Sequence, residues 1–186
     1  MAKVSILLEK TFEDNELHYP RLRLAEAGHE VVVVAPNTDS DYKGKYGTVQ
    51  KGDLASANAQ AGDFDLIVIP GGSSPDHMRR DEHLVRLVRD AQKARIPMAG
   101  ICHGPWMLCT ADALRGRRCT SFFSIIDDCR NAGAEWVDEE TVVDGHIITA
   151  RHPDDLGSFM KAILATLAGE QAHSVKGSPK APDWVR

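Results

Sequence analysis

The spacing of hydrophobic residues switches repeatedly along this chain. KVSILL (3–8) is an apolar run of strand length, and EVVVVAP (30–36) is a β-branched run without alternation, the pattern of a strand covered on both faces. Between them, Glu13 to Ala27 carries helical spacing and stops at Gly28, a residue suited to closing a helix. DLIVIPGG (65–72) is strand-like again. Asp81 to Ala94 returns to helical spacing through Leu84, Val85, Leu87, Val88 and Ala91, and IPMAGI (96–101) predicts another strand. A helix is expected over Pro105 to Ala113, two short strands over 135–151 around the turn Asp144-Gly145, and a closing amphipathic helix over Asp154 to Ala168. The polar stretch from Tyr42 to Asp53 predicts a small hairpin. This alternation is that of an α/β protein with a doubly wound, mostly parallel sheet and helices on both faces. Sites in such folds form at the carboxyl ends of strands, which directs attention to Lys10 to Glu16, Gly71 to Asp76 and Cys102 to Pro105.

Composition narrows the picture. The 186 residues, 42% of them hydrophobic, suffice for one sizeable core, so a single domain is expected over residues 1–169. The polar, proline-containing stretch 170–186 is expected to be a disordered end or an arm whose Trp184 docks on a neighbouring subunit. With 22 basic against 27 acidic residues the formal net charge is -5, and both signs are scattered. A nucleic-acid or anionic-membrane partner favours a basic patch instead, so neither is expected. No apolar stretch approaches the length of a membrane span, and acidic residues come too early for a secretory signal; a cytoplasmic protein with reduced thiols is the expectation. The four cysteines form no CxxC pair and the histidines show no metal-ligand spacing. No GxGxxG follows a strand and no P-loop is present, so no cofactor or metal is expected.

One stretch carries more chemistry than the rest. MAGICHGP (98–105) places a cysteine and a histidine between glycines where an apolar run meets a turn. Gly100 and Gly104 supply the small neighbours that a nucleophile on a sharp strand-to-helix elbow requires. Pro105 suits the first turn of the helix that follows. A sulfur at a helix N-terminus is expected to lean toward thiolate, and so to be reactive. Glu13 and Glu16, three residues apart after the first strand, share a helix face. One of them is placed to hydrogen-bond the sulfur or act as acid and base; compensation of the helix dipole explains them equally well. Gly71 and Gly72 are read either as a turn offering amides to a developing oxyanion or as a plain turn. Cys109 is expected in the core, and Cys119 and Cys129 have no evident partners.

FEDNELHYPRLRLAEAGHEV (12–31), PGGSSPD (70–76), AGICHGP (99–105), LRGRRCTS (114–121) and DDCRNAGAEWVDEETVVDGHIITAR (127–151) together resemble the PfpI family of small intracellular cysteine proteins, within the superfamily that includes the parkinsonism-associated deglycase. The resemblance runs from about Lys3 to Ala168. It implies a flavodoxin-like three-layer sandwich, assembled as a homodimer or a hexamer of dimers. It implies Cys102 as nucleophile with His103 beside it, Glu16 as the carboxylate bonded to the cysteine with Glu13 close by, and the Gly72 and His103 amides as an oxyanion site. Asp76 falls where PfpI-like hexamers bring a glutamate from the adjacent subunit, one methylene shorter here. Phe122 stands where relatives often have tyrosine.

Activities described for the family lead to rival expectations. The first is a stress-protection enzyme in which Cys102 attacks reactive carbonyls, as in a glutathione-independent glyoxalase or deglycase. The second is an intracellular peptidase using Cys102, His103 and Asp76 on peptides or proteins. A redox-sensing or chaperone-like stress protein, and an amidotransferase drawing on Arg151-His152-Pro153-Asp154, complete the set.

Overall fold

The computed structural model describes residues 1–183. In chain order its strands are β1 (Lys3–Leu7), β2 (Glu30–Ala35), β3 (Tyr42–Lys43), β4 (Val49–Gln50), β5 (Leu54–Ala55), β6 (Leu66–Ile69), β7 (Met98–Ile101), β8 (Arg118–Cys119), β9 (Glu135–Trp136), β10 (Thr141–Asp144) and β11 (Ile147–Ala150). Its α-helices are α1 (Asp14–Glu26), α2 (Ser74–Met78), α3 (Glu82–Ala94), α4 (Pro105–Thr110), α5 (Ile126–Asn131) and α6 (Leu156–Leu167). The central sheet has the order β10-β11-β7-β6-β1-β2-β5, parallel throughout except for the antiparallel β10 at one edge.

The unbroken apolar runs are explained by this layering. Because successive side chains of a strand face opposite ways, Ile6, Val33 and Val68 join one buried cluster while their neighbours Leu7, Val34 and Ile67 join another. The first cluster is completed by Leu17 and Leu24 of α1 and Phe159, Met160 and Ile163 of α6. The second is completed by Leu84, Leu87, Val88 and Ala91 of α3 and Met107 and Leu108 of α4. The result is the expected α/β three-layer sandwich with a flavodoxin-like sheet.

Helix starts follow the caps in the sequence. The Glu13 carboxylate accepts from the Glu16 N–H to open α1, and Asp81 accepts from the Leu84 N–H to open α3, each satisfying an otherwise orphaned amide. The expected hairpin is β3 and β4. The helix expected to reach Ala113 ends at Thr110, just before Asp112 takes a left-handed φ of 55°. The region expected to hold two strands holds β9, β10 and β11, and α5 went unforeseen because its six residues carry too little periodicity to register.

The segment after α6, expected to be disordered or an arm to a neighbour, lies on its own domain as far as Ala181. Val175 pairs with Thr141 in an isolated antiparallel bridge. Asp138 accepts from the N–H groups of Lys180 and Ala181, and the Ser178 carbonyl accepts from Arg151 Nη1 at 2.7 Å. Composition did not disclose this, because the anchoring groups are single backbone amides and carbonyls. Trp184 lies outside the described residues.

Arg151 organises that anchorage. Its guanidinium meets Asp155 at 2.8 Å and Asp138 at 2.8 Å, with the arginine and Asp155 side chains each 3% exposed. Removing one partner of such a buried set strands the others. Arg151→Met is therefore expected to lower unfolding free energy by about 3–5 kcal/mol, and to make the chain beyond Gly169 newly sensitive to protease. Urea unfolding and limited proteolysis check both; wild-type stability with a resistant tail would contradict the account.

Candidate active site

The fold brings three loops to one point. The strand order turns back around β1, which lies between β2 and β6, and such a switch point leaves a crevice at the strands' carboxyl ends. The loop after β1 is stitched to the loop after β6 by Glu13 N–H to Gly71 O at 3.3 Å and Ser73 N–H to Thr11 O at 3.0 Å. The elbow after β7 completes the site, with the Cys102 N–H donating to Ala150 O of β11 at 3.0 Å.

Cys102 sits at the apex with φ of 61°, a left-handed conformation that costs a residue with a Cβ on the order of 1–3 kcal/mol. The neighbours leave no room for alternatives. A Cβ on Gly104 would stand 2.3 Å from Ile69 O, and one on Gly71 would stand 2.7 Å from both Cys102 Cβ and a Glu16 carboxyl oxygen. Gly71 is thus the gap across which Cys102 and Glu16 meet. Gly72 has φ of 69° and no space for a side chain against Thr11 and Glu13.

Glu16 is fully buried, and Gly71 N–H donates to its Oε2 at 2.7 Å. Oε1 has no partner among the backbone or other carboxyls, and the carboxyl's further contact is with the Cys102 thiol. Burial, reinforced by the Glu13 carboxylate, pushes the Glu16 acid up to about 8, so that it keeps its proton at neutral pH. Burial likewise pushes the Cys102 thiol well up, and adjacent Glu16 adds to this, against the pull of the Gly72 and His103 amides that converge on the sulfur. The thiolate bias expected from the helix N-terminus is outweighed, because α4 is six residues long and Cys102 is only 7% exposed.

His103 provides the nearest base. Its Nδ1 lies 3.2 Å from Cys102 Sγ, and its Nε2 lies 3.1 Å from Ser124 Oγ. The ring stacks on Phe122 at 5.2 Å and meets Trp106 edge-on at 5.1 Å. Burial, with Lys45 nearby, lowers the imidazole below its usual range, so it is neutral at pH 7. Asp76, by contrast, is not gathered into this group within the chain. It lies on α2, its carboxylate paired with Arg80 on the surface.

Above the sulfur is a cavity of about 470 Å³, walled by Glu13, Gly72, Cys102, His103, Phe122 and Pro153, and by Lys45 and Tyr46 of the β3–β4 hairpin. Neither hairpin residue was foreseen. The signal was Asp14, directly after Glu13, which accepts from the N–H groups of Tyr46 and Thr48 and from the Thr48 hydroxyl. Burial alone would raise the Asp14 acid, but these bonds hold it below the usual carboxylate range. Ser124, twenty-one residues past His103, was likewise invisible in a linear reading.

The other cysteines and the Arg151-His152-Pro153-Asp154 stretch have structural roles. Cys129 interacts with both Cys109 and Cys119 and also reaches Ser121 Oγ at 3.7 Å, so Cys119 and Cys129 do have partners. The hydrogen bond with Cys109 pulls the Cys129 thiol down, but contact with Cys119 and burial outweigh it and push Cys129 up to about 12, which keeps it protonated and unreactive. Arg151 is committed to its ion pairs, and His152 Nδ1 accepts from the Asp154 N–H at 3.2 Å, local structural duties that leave the amidotransferase reading without support. Among the described residues no cluster suited to a metal ion occurs, and no helix is long and apolar enough to cross a membrane.

Comparison with known proteins bears on this geometry. Residues 2–166 match the DJ-1/PfpI family. The chain is 42% identical over 165 residues to "Deglycase PfpI" of Pyrococcus furiosus, covering 89% of this chain and 99% of that one. It is 39% identical over 167 residues to "Protein/nucleic acid deglycase 2" of Escherichia coli, covering 89% and 97%. Among solved structures, a two-domain protein of Anabaena variabilis with DJ-1/ThiJ/PfpI-like and ferritin-like domains aligns with a TM-score of 0.89 at 42% identity. That match covers 97% of this chain but 52% of the other, so the chain spans about half of the two-domain protein.

The acid at Glu16 has a thermodynamic signature. Its folded-state value, about 8, lies above the 4.5 of the free side chain, so the folded protein holds the proton more tightly. The stabilisation is complete below pH 4.5 and is lost as pH rises through 8. Relative to Glu16→Gln, the wild type is expected to lose stability progressively across that window, measured as urea midpoints at successive pH values. Parallel pH profiles for the two proteins would refute a protonated Glu16.

Proposed function

The chain belongs to the DJ-1/PfpI family, and on that premise we propose that it is a cysteine-dependent enzyme of stress protection that acts on reactive carbonyls, in the manner of a glutathione-independent glyoxalase or deglycase. The deglycase names of its relatives support the general class. The observation that carries the specific reading is a protonated, buried carboxyl against a cysteine sulfur beneath an open cavity. Peptide hydrolysis has no evident use for a neutral acid at that point, whereas a dicarbonyl needs a proton delivered to one oxygen and another moved between adjacent carbons.

The steps follow from these groups. Ser124 accepting the Nε2 proton of His103 leaves the Nδ1 lone pair facing the thiol, so the thiol proton passes to Nδ1 as sulfur bonds to the aldehyde carbon of methylglyoxal. The Gly72 and His103 amides stabilise the oxygen as negative charge gathers on it. Glu16 gives that oxygen its proton, and as a carboxylate takes the hydrogen of the former aldehyde carbon and returns it to the adjacent carbon. The hydroxyl proton moves to the neighbouring oxygen, so the former aldehyde carbon becomes the carbonyl of a thioester on Cys102 and its neighbour a secondary alcohol. His103 returns the thiol proton to the Glu16 carboxylate through the solvent of the cavity and, neutral again, takes a proton from the attacking water and hands it to the departing sulfur, releasing lactic acid, which ionises to lactate, and restoring the thiol. Glu13 caps α1 and helps keep Glu16 protonated through its charge. Acting on a carbonyl already added to an amine or thiol, the same chemistry is deglycation. The peptidase alternative has less support, since Asp76 is paired with Arg80 and Ser124 occupies His103 Nε2.

Glutathione-free conversion of methylglyoxal to lactate is the test, run on wild type, Cys102→Ser and Glu16→Gln. Loss of kcat/KM by at least about 10³-fold in the cysteine variant and about 10²–10⁴-fold in the glutamine variant is expected. Lactate formation persisting without the Cys102 sulfur would overturn the reading.

A further inference from the structure

The hairpin wall of the cavity carries a charge that the proposed chemistry does not use. Among the described residues, Lys45 is the only cationic side chain lining the cavity around Cys102. Its ammonium lies over the Tyr46 ring, 5.2 Å from the centroid, and among the described residues it enters no ion pair. Glu13, a carboxylate that also lines the cavity, is already engaged by the Glu16 N–H at 2.9 Å and by Asn15 Nδ2 at 3.5 Å.

The backbone that presents Lys45 is fixed. Its N–H donates to Phe12 O at 2.8 Å, and Thr11 N–H donates to Lys43 O at 2.7 Å, tying the hairpin to the loop after β1. Asp14 holds the next turn through Tyr46 and Thr48, and Gly44 has no room for a Cβ, which would stand 2.7 Å from the Asp14 carboxylate. The charged end is flexible, but its root is pinned at the rim. The cavity, about 470 Å³, falls in the range of about 300–1,000 Å³ that holds drug-sized ligands, far more space than a three-carbon dicarbonyl fills.

Resting on the carbonyl-enzyme reading above, we propose that Lys45 is an anion-recognising specificity residue and that the preferred substrates are 2-oxoaldehydes bearing a carboxylate some carbons away from the reacting pair. The aldehyde end meets Cys102 and the far carboxylate meets Lys45. A lone lysine with no arginine or free amide beside it matches a single negative charge; a phosphate dianion calls for more donors. The reaction remains an internal redox exchange. Water adds, the aldehyde carbon is oxidised to a carboxylate, and the neighbouring ketone carbon is reduced to a secondary alcohol by the same electron pair, so no outside oxidant or reductant enters.

The probes are 4,5-dioxopentanoate, its neutral methyl ester and methylglyoxal, assayed with wild type, Lys45→Met and Lys45→Arg. The readout is the acid-to-ester ratio of kcat/KM within each protein, which cancels any general effect of the substitution on the site. Wild type at low salt is expected to favour the acid by about fivefold, the scale of a partly exposed ion pair. The ratio is expected to fall to about one in Lys45→Met, to persist in Lys45→Arg, and to decline toward one in about 1 M salt. A wild-type ratio near one, or a preference retained in Lys45→Met, overturns the inference while leaving the carbonyl reading intact. Failure of wild type to convert methylglyoxal strikes the underlying reading instead.

Discussion

The site depends on a steric constraint: a cysteine and a glutamate must touch across a position where only hydrogen fits. At Gly71 any Cβ would collide with Cys102 Cβ, a Glu16 oxygen and the His103 amide nitrogen at once. The contact removes water from both acids, and dehydration penalises charge more than any nearby dipole can restore. From that follow the neutral carboxyl, the protonated resting thiol and the need for a base at His103. The strained turn at Cys102 is held by the same crowding, since Gly104 abuts Ile69 O and the Cys102 amide is claimed by β11.

Much of the fold was legible because it follows from the two-sided burial of the strands. Runs such as EVVVVA have no polar face, and the structure divides their alternate residues between two helical layers. The elbow was legible because its glycines are spaced by local geometry. Glu16 was visible only as one of two equivalent acids; its selection depends on Gly71, which belongs to a different strand's loop. The hairpin itself was expected, but its place in the cavity wall, and Ser124, escaped notice because their links to the site are long-range hydrogen bonds, of which the sequence keeps no periodic trace.

The elbow also shows where local reasoning misleads. A sulfur at a helix start is commonly drawn toward thiolate. Here the helix is short, and the partial charge at its end acts alongside a far larger dehydration term. The Gly72 and His103 amides pull toward thiolate as the helix was expected to, but burial and the adjacent Glu16 outweigh them. The proposed chemistry accordingly draws on the Cys102, Glu16 and His103 set and not on the cysteine alone.

The strip of chain after α6 has a consequence for solubility. The antiparallel strand β10 forms one margin of the central sheet, and a margin with open amides and carbonyls is a template for pairing with foreign strands. Val175 occupies part of that template by bridging to Thr141, and Ser174 Oγ accepts from the Val143 N–H. Ser174 and Val175 therefore act as a selvedge, leaving less of the sheet's margin open to growth by accretion of other strands.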